Sequence, residues 1–463
     1  MGPVALSIAL LLLFAAPLMR GGNRQIALIV LEAISLGFLL TVWLRSVFSI
    51  QPQALAHQRN PAQTFLVVFL LLAPAWLALV YLVPLPAAVW SGTPGRGIYP
   101  QLLHDAGITS GSWLPLSLVP DATRISLLAG LPLIAGFLAG YLARLPQVRL
   151  LLWIVVVMAF AQILLGLLQM ADGAQSLLYF GGDGGRPFGT FANANHFANY
   201  IGMAFAAYVL LACNSLLWPP SRRSHNLAAR IASRHAMPLW IAGGLVLVVG
   251  VLMSRSRGAA LTGLPAGMLA VALAYSISGK SNGWRATLAL VGGVVVAAVA
   301  LVGLGSVLSR FDLGGIANAA SIRGLITATT VAGAQEFWPW GAGWGSYAAV
   351  YPRFEPMGSD GIVDYAHHDY AQMLFEGGIF SVLLAAAFLW LAGSRAVLLT
   401  RSILRNRAFT REEMTSALCG LGLLGLLLHS LVDFNLHIPA NAILGAMLAG
   451  IYLRPFANKD APG

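Results

Sequence analysis

Residues 366–378, Ala-His-His-Asp-Tyr-Ala-Gln-Met-Leu-Phe-Glu-Gly-Gly, set two adjacent histidines, an aspartate and a glutamate just ahead of a long apolar run. The density is unusual in a chain that is only 9% charged. A histidine takes or gives a proton near neutral pH, and a carboxylate beside it orients the ring, so this stretch offers general acid–base chemistry. Wound as a helix at about 100° per residue, it puts His368, Asp369, Gln372 and Glu376 on one arc. His367, Tyr370, Ala371, Leu374, Phe375 and Gly378 share the other arc, so His367 leaves from the apolar face beside two small residues. His368 heads the polar arc, and on this pattern either imidazole is a candidate.

A second set of residues suits an anion. Ser254-Arg255-Ser256-Arg257-Gly258 forms a tight junction between two apolar runs, Arg186 follows a glycine-rich stretch, and Arg310 and Arg323 precede the histidines. Guanidinium forks bind phosphate oxygens two at a time, and several together neutralise a diphosphate. The helix opening at Arg257 adds free N–H groups and a positive dipole end. Asn193 and Asn195 suit the cap of another helix. The turn His429-Ser-Leu-Val-Asp433-Phe-Asn-Leu-His437 reads as a hydrogen-bonded support for the same face. Gly341-Ala-Gly343-Trp-Gly345 lacks the strand and βαβ setting of a dinucleotide site; with Trp338, Trp340, Trp344 and Tyr347 around it, it reads as a turn at a membrane interface. The outer loops carry no Asp-x-Asp pair to hold Mg²⁺ against a diphosphate, so the arginines would neutralise it in a reaction expected to need no metal and no cofactor.

The elements that must position these groups are membrane helices. With 463 residues, 58% of them hydrophobic, and a mean hydropathy of +0.78, the chain is not a soluble domain. Apolar runs predict an all-α, polytopic protein of about twelve transmembrane helices: roughly 4–19, 26–48, 64–85, 124–143, 147–170, 195–212, 238–254, 259–277, 286–308, 379–399, 413–432 and 438–455. The first run lacks a basic n-region and a small-residue cleavage site, and is expected to be retained. An N-terminus inside puts Arg144, Arg149, Arg222, Arg223, Arg230, Arg234, Arg395, Arg401, Arg405, Arg407 and Arg411 in the cytoplasm and most acids outside, as the positive-inside rule requires. The net charge of +11 is then an orientation signal facing anionic headgroups and not a nucleic-acid footprint. Residues 213–237 become a basic cytoplasmic loop and 309–378 a large extracytoplasmic loop ahead of helix ten. The whole of 1–463 is a single integral membrane domain. Cys213 and Cys419 show neither disulfide nor metal spacing.

In a lipid-bounded site, the natural diphosphate ligand is an isoprenoid diphosphate carrying a sugar, and its displacement by a hydroxyl is glycosyl transfer. Four stretches then carry a resemblance: Gly189-Thr-Phe-Ala-Asn193-Ala-Asn195, Ser256-Arg257-Gly258, Arg323 ahead of Pro339-Trp-Gly341-Ala-Gly343-Trp-Gly345, and Ala366-His367-His368-Asp369-Tyr370 leading to Gly378. In this order the chain resembles the O-antigen ligase and O-antigen polymerase superfamily of bacterial inner-membrane glycosyltransferases, over roughly residues 60–455. The resemblance implies a GT-C-type helical fold, an undecaprenyl-diphosphate-linked glycan donor and an active site on the periplasmic side. It matches Arg257 and Arg323 to the diphosphate-contacting arginines and His367 to the catalytic histidine; His368 stands where the family usually has Asn, Ser or Gln. Arg186 and Arg255 are further candidates for the diphosphate, and His368, Asp369, Asp433 and His437 for support. The acceptor would be lipid A–core (a ligase) or a growing glycan (a polymerase). The non-enzymatic alternative, a lipid-linked glycan flippase or other transporter, calls for ionisable groups near the bilayer midplane, where only Glu32 stands inside an apolar run.

Overall fold

The computed structural model describes residues 1–48, 61–107, 113–180, 185–217, 227–277, 313–355, 363–405 and 409–456. The principal helices are α1 (Pro3–Ala15), α2 (Gln25–Phe48), α3 (Pro61–Leu71), α4 (Ala73–Leu82), α5 (Pro120–Leu128), α6 (Gly130–Leu142) and α7 (Leu145–Asp172). They continue with α8 (Ala194–Leu217), α9 (Leu227–Met253), α10 (Arg257–Ile277), α11 (Leu313–Glu336), α12 (Asp369–Leu404), α13 (Arg411–His429) and α14 (Pro439–Leu453). Among the described residues, six helical stretches are long and apolar enough to cross a membrane, and a seventh is the pair α3–α4, bent by 56°. The bend falls where Pro74 enters the first turn of α4, since proline cannot continue the hydrogen-bond ladder of the preceding helix. The chain is thus an all-α polytopic membrane protein. Helices α1 and α14 are apolar but only 13 and 15 residues long. The span expected at 286–308 lies outside the described residues, as does Arg310.

Two expected loops contain helix. Within 309–378, residues 313–336 form α11, and α12 begins at Asp369, ahead of the apolar run at 379–399. Helix α11 is built of Ala, Gly and Thr with scattered Leu and Ile, which leaves no apolar stripe to read although most of these residues sustain a helix. Within the basic segment 213–237, α8 extends to Leu217 and α9 starts at Leu227, because Ala-Ala-Arg-Ile-Ala-Ser-Arg is polar yet helix-forming.

Helix α8 is the hub. Its sequence is apolar or small on every side, and it is buried almost throughout, against α7, α9, α10 and α13. Glycine lets backbones touch: Gly202 of α8 faces Gly263 of α10, and a Cβ on Gly140 of α6 would stand 2.2 Å from the Met447 carbonyl of α14. A short antiparallel pair, Pro84–Pro86 with Trp113–Pro115, ties down the cap that joins α4 to α5. The fully buried Arg96 pins that cap, donating to the carbonyls of Pro94, Leu116 and Gly341. Burial pulls its guanidinium down to about 10.

Candidate active site

His367 and His368 do not lie on a helix. His368 is the N-cap of α12, extended at φ −158°, and its Nδ1 accepts the Ala371 N–H at 3.3 Å. His367 sits one residue earlier with φ +52°, in the left-handed region that costs an L-residue about 1–2 kcal/mol. The helical-wheel expectation for this pair is therefore corrected: the cap, and the Ala366 N–H bonded to Gln372 Oε1 at 3.0 Å, end the helix before either ring. The turn aims the two rings differently. His368 is spent on the helix end, whereas His367 is half-buried, its edge on the Phe434 ring at 5.1 Å and its Nδ1 3.7 Å from Asp433 Oδ1.

Asp433 is 1% exposed. Its Oδ2 accepts from Asn195 Nδ2 at 2.6 Å and its Oδ1 from the Phe434 N–H at 3.0 Å. Oδ1 is also flanked by two imidazoles, His196 Nε2 at 3.6 Å and His367 Nδ1 at 3.7 Å, both at ion-pair and not hydrogen-bond distance. Burial opposes its charge, but the two imidazoles prevail and hold its carboxyl well below the usual range.

Asp369, also fully buried, clamps the two turns together. Its N–H donates to the carbonyls of Ser430 (3.0 Å) and Asp433 (3.3 Å), and its carboxylate accepts from the Leu436 N–H (2.9 Å) and His437 Nδ1 (2.6 Å). For His437, burial favours the neutral ring, but the bond to Asp369 outweighs it and raises the imidazole above its ordinary value.

The arginines border this cluster. Arg323 of α11 reaches the Val432 carbonyl, one residue before Asp433, at 3.4 Å. Arg257 opens α10, and Ser256 caps that helix by accepting the Ala259 N–H at 3.3 Å. The next residue, Gly258, lies flat on the buried His429, whose Nε2 would be 2.3 Å from an added Cβ. His429 Nδ1 meets Asn199 Oδ1 at 3.2 Å. Arg255 occupies the turn before α10 at φ +54°, so two of the candidate residues, Arg255 and His367, sit in strained left-handed backbone, a condition that clusters at functional sites. Arg186 is half-buried on a loop fastened to α7. Gln169 Oε1 accepts the N–H groups of Phe188 and Gly189 there, and Gln162 Oε1 that of Thr190. The loop meets the cluster farther on, through Asn195 and His196. The structure thus brings His367, His368, Asp369, Asp433, His437 and Arg323 together, while Arg255 and Arg257 stand at the start of α10, next to the Gly258 that packs on His429.

Of the two asparagines suited to the cap of α8, Asn193 fills it, taking the Asn195 N–H at 2.8 Å; Asn195 and His196 turn inward to Asp433. Only the position of these polar residues, in the first turn of a largely apolar helix, hints at that role. Glu376, grouped with His368 by the wheel, is structural: it accepts the N–H groups of Gly345 (2.9 Å) and Tyr347 (3.0 Å). The Gly341–Gly345 run folds over that carboxylate and the α12 kink at Gly378 (φ +49°), where a Cβ would strike the Pro339 carbonyl.

Residues 242–386 match the family described as O-antigen ligase. The match contains Arg255, Arg257, Arg323, His367 and Asp369 and stops before Asp433 and His437. No curated protein matches the chain.

Proposed function

We propose that this chain, a member of the O-antigen ligase superfamily, is a GT-C-type glycosyltransferase of the bacterial inner membrane. It moves a glycan from an undecaprenyl-diphosphate donor to an acceptor hydroxyl at the periplasmic face. The observation that carries the reading is His367: an imidazole with one nitrogen turned to a buried carboxylate, the ring reaching the surface, and Arg323 bonded to the neighbouring carbonyl.

With Nδ1–H directed to Asp433, the Nε2 lone pair is the base. It takes the proton of the acceptor hydroxyl as that oxygen bonds to the anomeric carbon. The bond from the anomeric carbon to the diphosphate oxygen breaks on the opposite face, inverting the centre, and undecaprenyl diphosphate leaves. Arg257 and Arg323 hold the diphosphate, assisted by Arg186 or Arg255, and neutralise the charge gathering on it without a metal. Asp433 stabilises the imidazolium that forms. Asp369, His437 and the His368 cap fix the turn that carries His367.

The test is turnover in reconstituted membranes with a labelled lipid-linked glycan. His367→Ala abolishes transfer while donor binding survives, and Arg323→Glu weakens donor retention; retained turnover in the first variant overturns the assignment. Deleting the gene then separates the acceptors. Loss of glycan from lipid A with donor accumulating marks a ligase, single-repeat products mark a polymerase of the same superfamily, and donor left unflipped marks a transporter.

A further inference from the structure

His196 is 2% exposed and cannot touch a substrate, yet its Nε2 lies as close to Asp433 Oδ1 as His367 Nδ1 does, 3.6 Å against 3.7 Å. We propose that His196 is a positioning residue that sets the basicity of His367 by competing with it for one oxygen of Asp433. The proposal rests on the reading of His367 as the base.

The ring of His196 has little freedom. It stands on the first turn of α8, edge-on to Phe434 at 4.6 Å, and its backbone carbonyl accepts Asn441 Nδ2 from α14. Its Nε2 is buried and has no hydrogen-bond partner among the described residues, and the same holds for His367 Nδ1. Oδ2 of Asp433 is already taken by Asn195 and Oδ1 by the Phe434 N–H. Both imidazoles therefore address the same oxygen, Oδ1, at 3.6 and 3.7 Å, and a closer bond to one is made at the expense of the other.

An N–H from His196 aimed at Oδ1 draws off negative charge, whether that ring is neutral or cationic. Asp433 then attracts the His367 proton less, and His367 remains an unprotonated base to lower pH. The other charged and titratable groups facing this cluster are Asp369 on α12, His429 on α13, Arg323 on α11 and His437 beyond the Phe434 turn. None of them offers a second contact to Oδ1 among the described residues.

The test is the pH profile of kcat/KM for labelled-glycan transfer by the full chain in proteoliposomes. His196→Phe fills the space without an N–H, and its acid limb moves up by about one pH unit, the shift expected when an oppositely charged partner is left to a single imidazole. The rate then falls about tenfold below the limb and little above it. His196→Gln, which carries an N–H at similar reach, returns the limb toward the wild-type position. Should the phenylalanine variant fail to fold, His196→Asn, too short to reach Oδ1, serves as the removal and shows the same displaced limb. An unmoved limb in the folded removal variant, or a limb that glutamine does not restore, overturns the proposal. Turnover retained in His367→Ala overturns instead the reading of His367 beneath it.

Discussion

Replacing Asp433 with Asn is the sharpest test of the site, because it changes a charge and almost no volume. The carboxylate lies 3.7 Å from His367 Nδ1; at that separation and an effective dielectric of about 20, a full carboxylate–imidazolium pair is worth about 4 kcal/mol. Water reaching the ring, 29% exposed, screens part of this and leaves about 3 kcal/mol acting on the imidazolium that forms during transfer. At about 1.4 kcal/mol per decade, kcat falls about a hundredfold. Donor KM stays near wild type, since the arginines proposed to hold the diphosphate are untouched. The fold persists: the amide oxygen still accepts from Asn195 Nδ2, and the one bond lost, from the Phe434 N–H, costs about 1–3 kcal/mol. The assay is steady-state transfer from a fluorescent lipid-linked donor in proteoliposomes, with unfolding in detergent as the control for structure. A kcat within about threefold of wild type, or a loss confined to donor KM, refutes Asp433 as the partner of the imidazole proposed as the base.

Two other predictions follow from the packing. Because its bond to Asp369 raises His437, the stability it contributes is fully present below the unfolded value near 6.5 and is lost as pH rises through the higher folded value. The gap in unfolding temperature between wild type and His437→Gln therefore narrows from pH 6 toward alkaline pH, and a gap that widens contradicts the clamp. Gly258→Val drives a side chain into the fully buried His429, 2.3 Å from the first added carbon, and overpacking there lowers stability by about 1–3 kcal/mol. Gly258→Ala, with fewer atoms to place, costs less; equal and negligible effects of both would mean that α10 does not pack on His429 as described.

Much of this site was legible in the sequence because its chemistry is concentrated: a histidine pair and two carboxylates in a 9%-charged chain can hardly be missed. The arginines stood out for the same reason. What could not be read was direction. His367 and His368 are adjacent and identical in type, and only the cap made by His368 Nδ1 decides that one ring serves the helix and the other faces Asp433. Glu376 looked like chemistry and proved to be a ligand for backbone N–H groups, because the glycines that wrap it lie some 30 positions earlier in the chain. Arg96 was hidden in a loop of Pro, Gly and Ser, and its role depends on carbonyls from three separate segments. In the fold, the apolar runs located the six long apolar helices and the bent α3–α4 pair, whereas α11 escaped because small residues give a helix no readable stripe.

The two imidazole–carboxylate pairs are not independent parts. Asp369 holds His437 through its side chain, while its own N–H donates to the carbonyl of Asp433, the carboxylate that faces His367 two residues upstream. The turn before α12 and the turn after α13 therefore close on each other through one residue, and neither histidine can shift without moving the other's carboxylate. That coupling explains why a left-handed, strained His367 is tolerated: the backbone on both sides is fixed by buried hydrogen bonds that a relaxed turn would break. It also means that the energetic effects of losing Asp369 and Asp433 overlap instead of adding, since either change loosens the same pair of turns. A base that must meet an acceptor hydroxyl opposite a bulky diphosphate requires that fixity more than it requires basicity, because misplacement by about 1 Å can itself cost a hundredfold in rate.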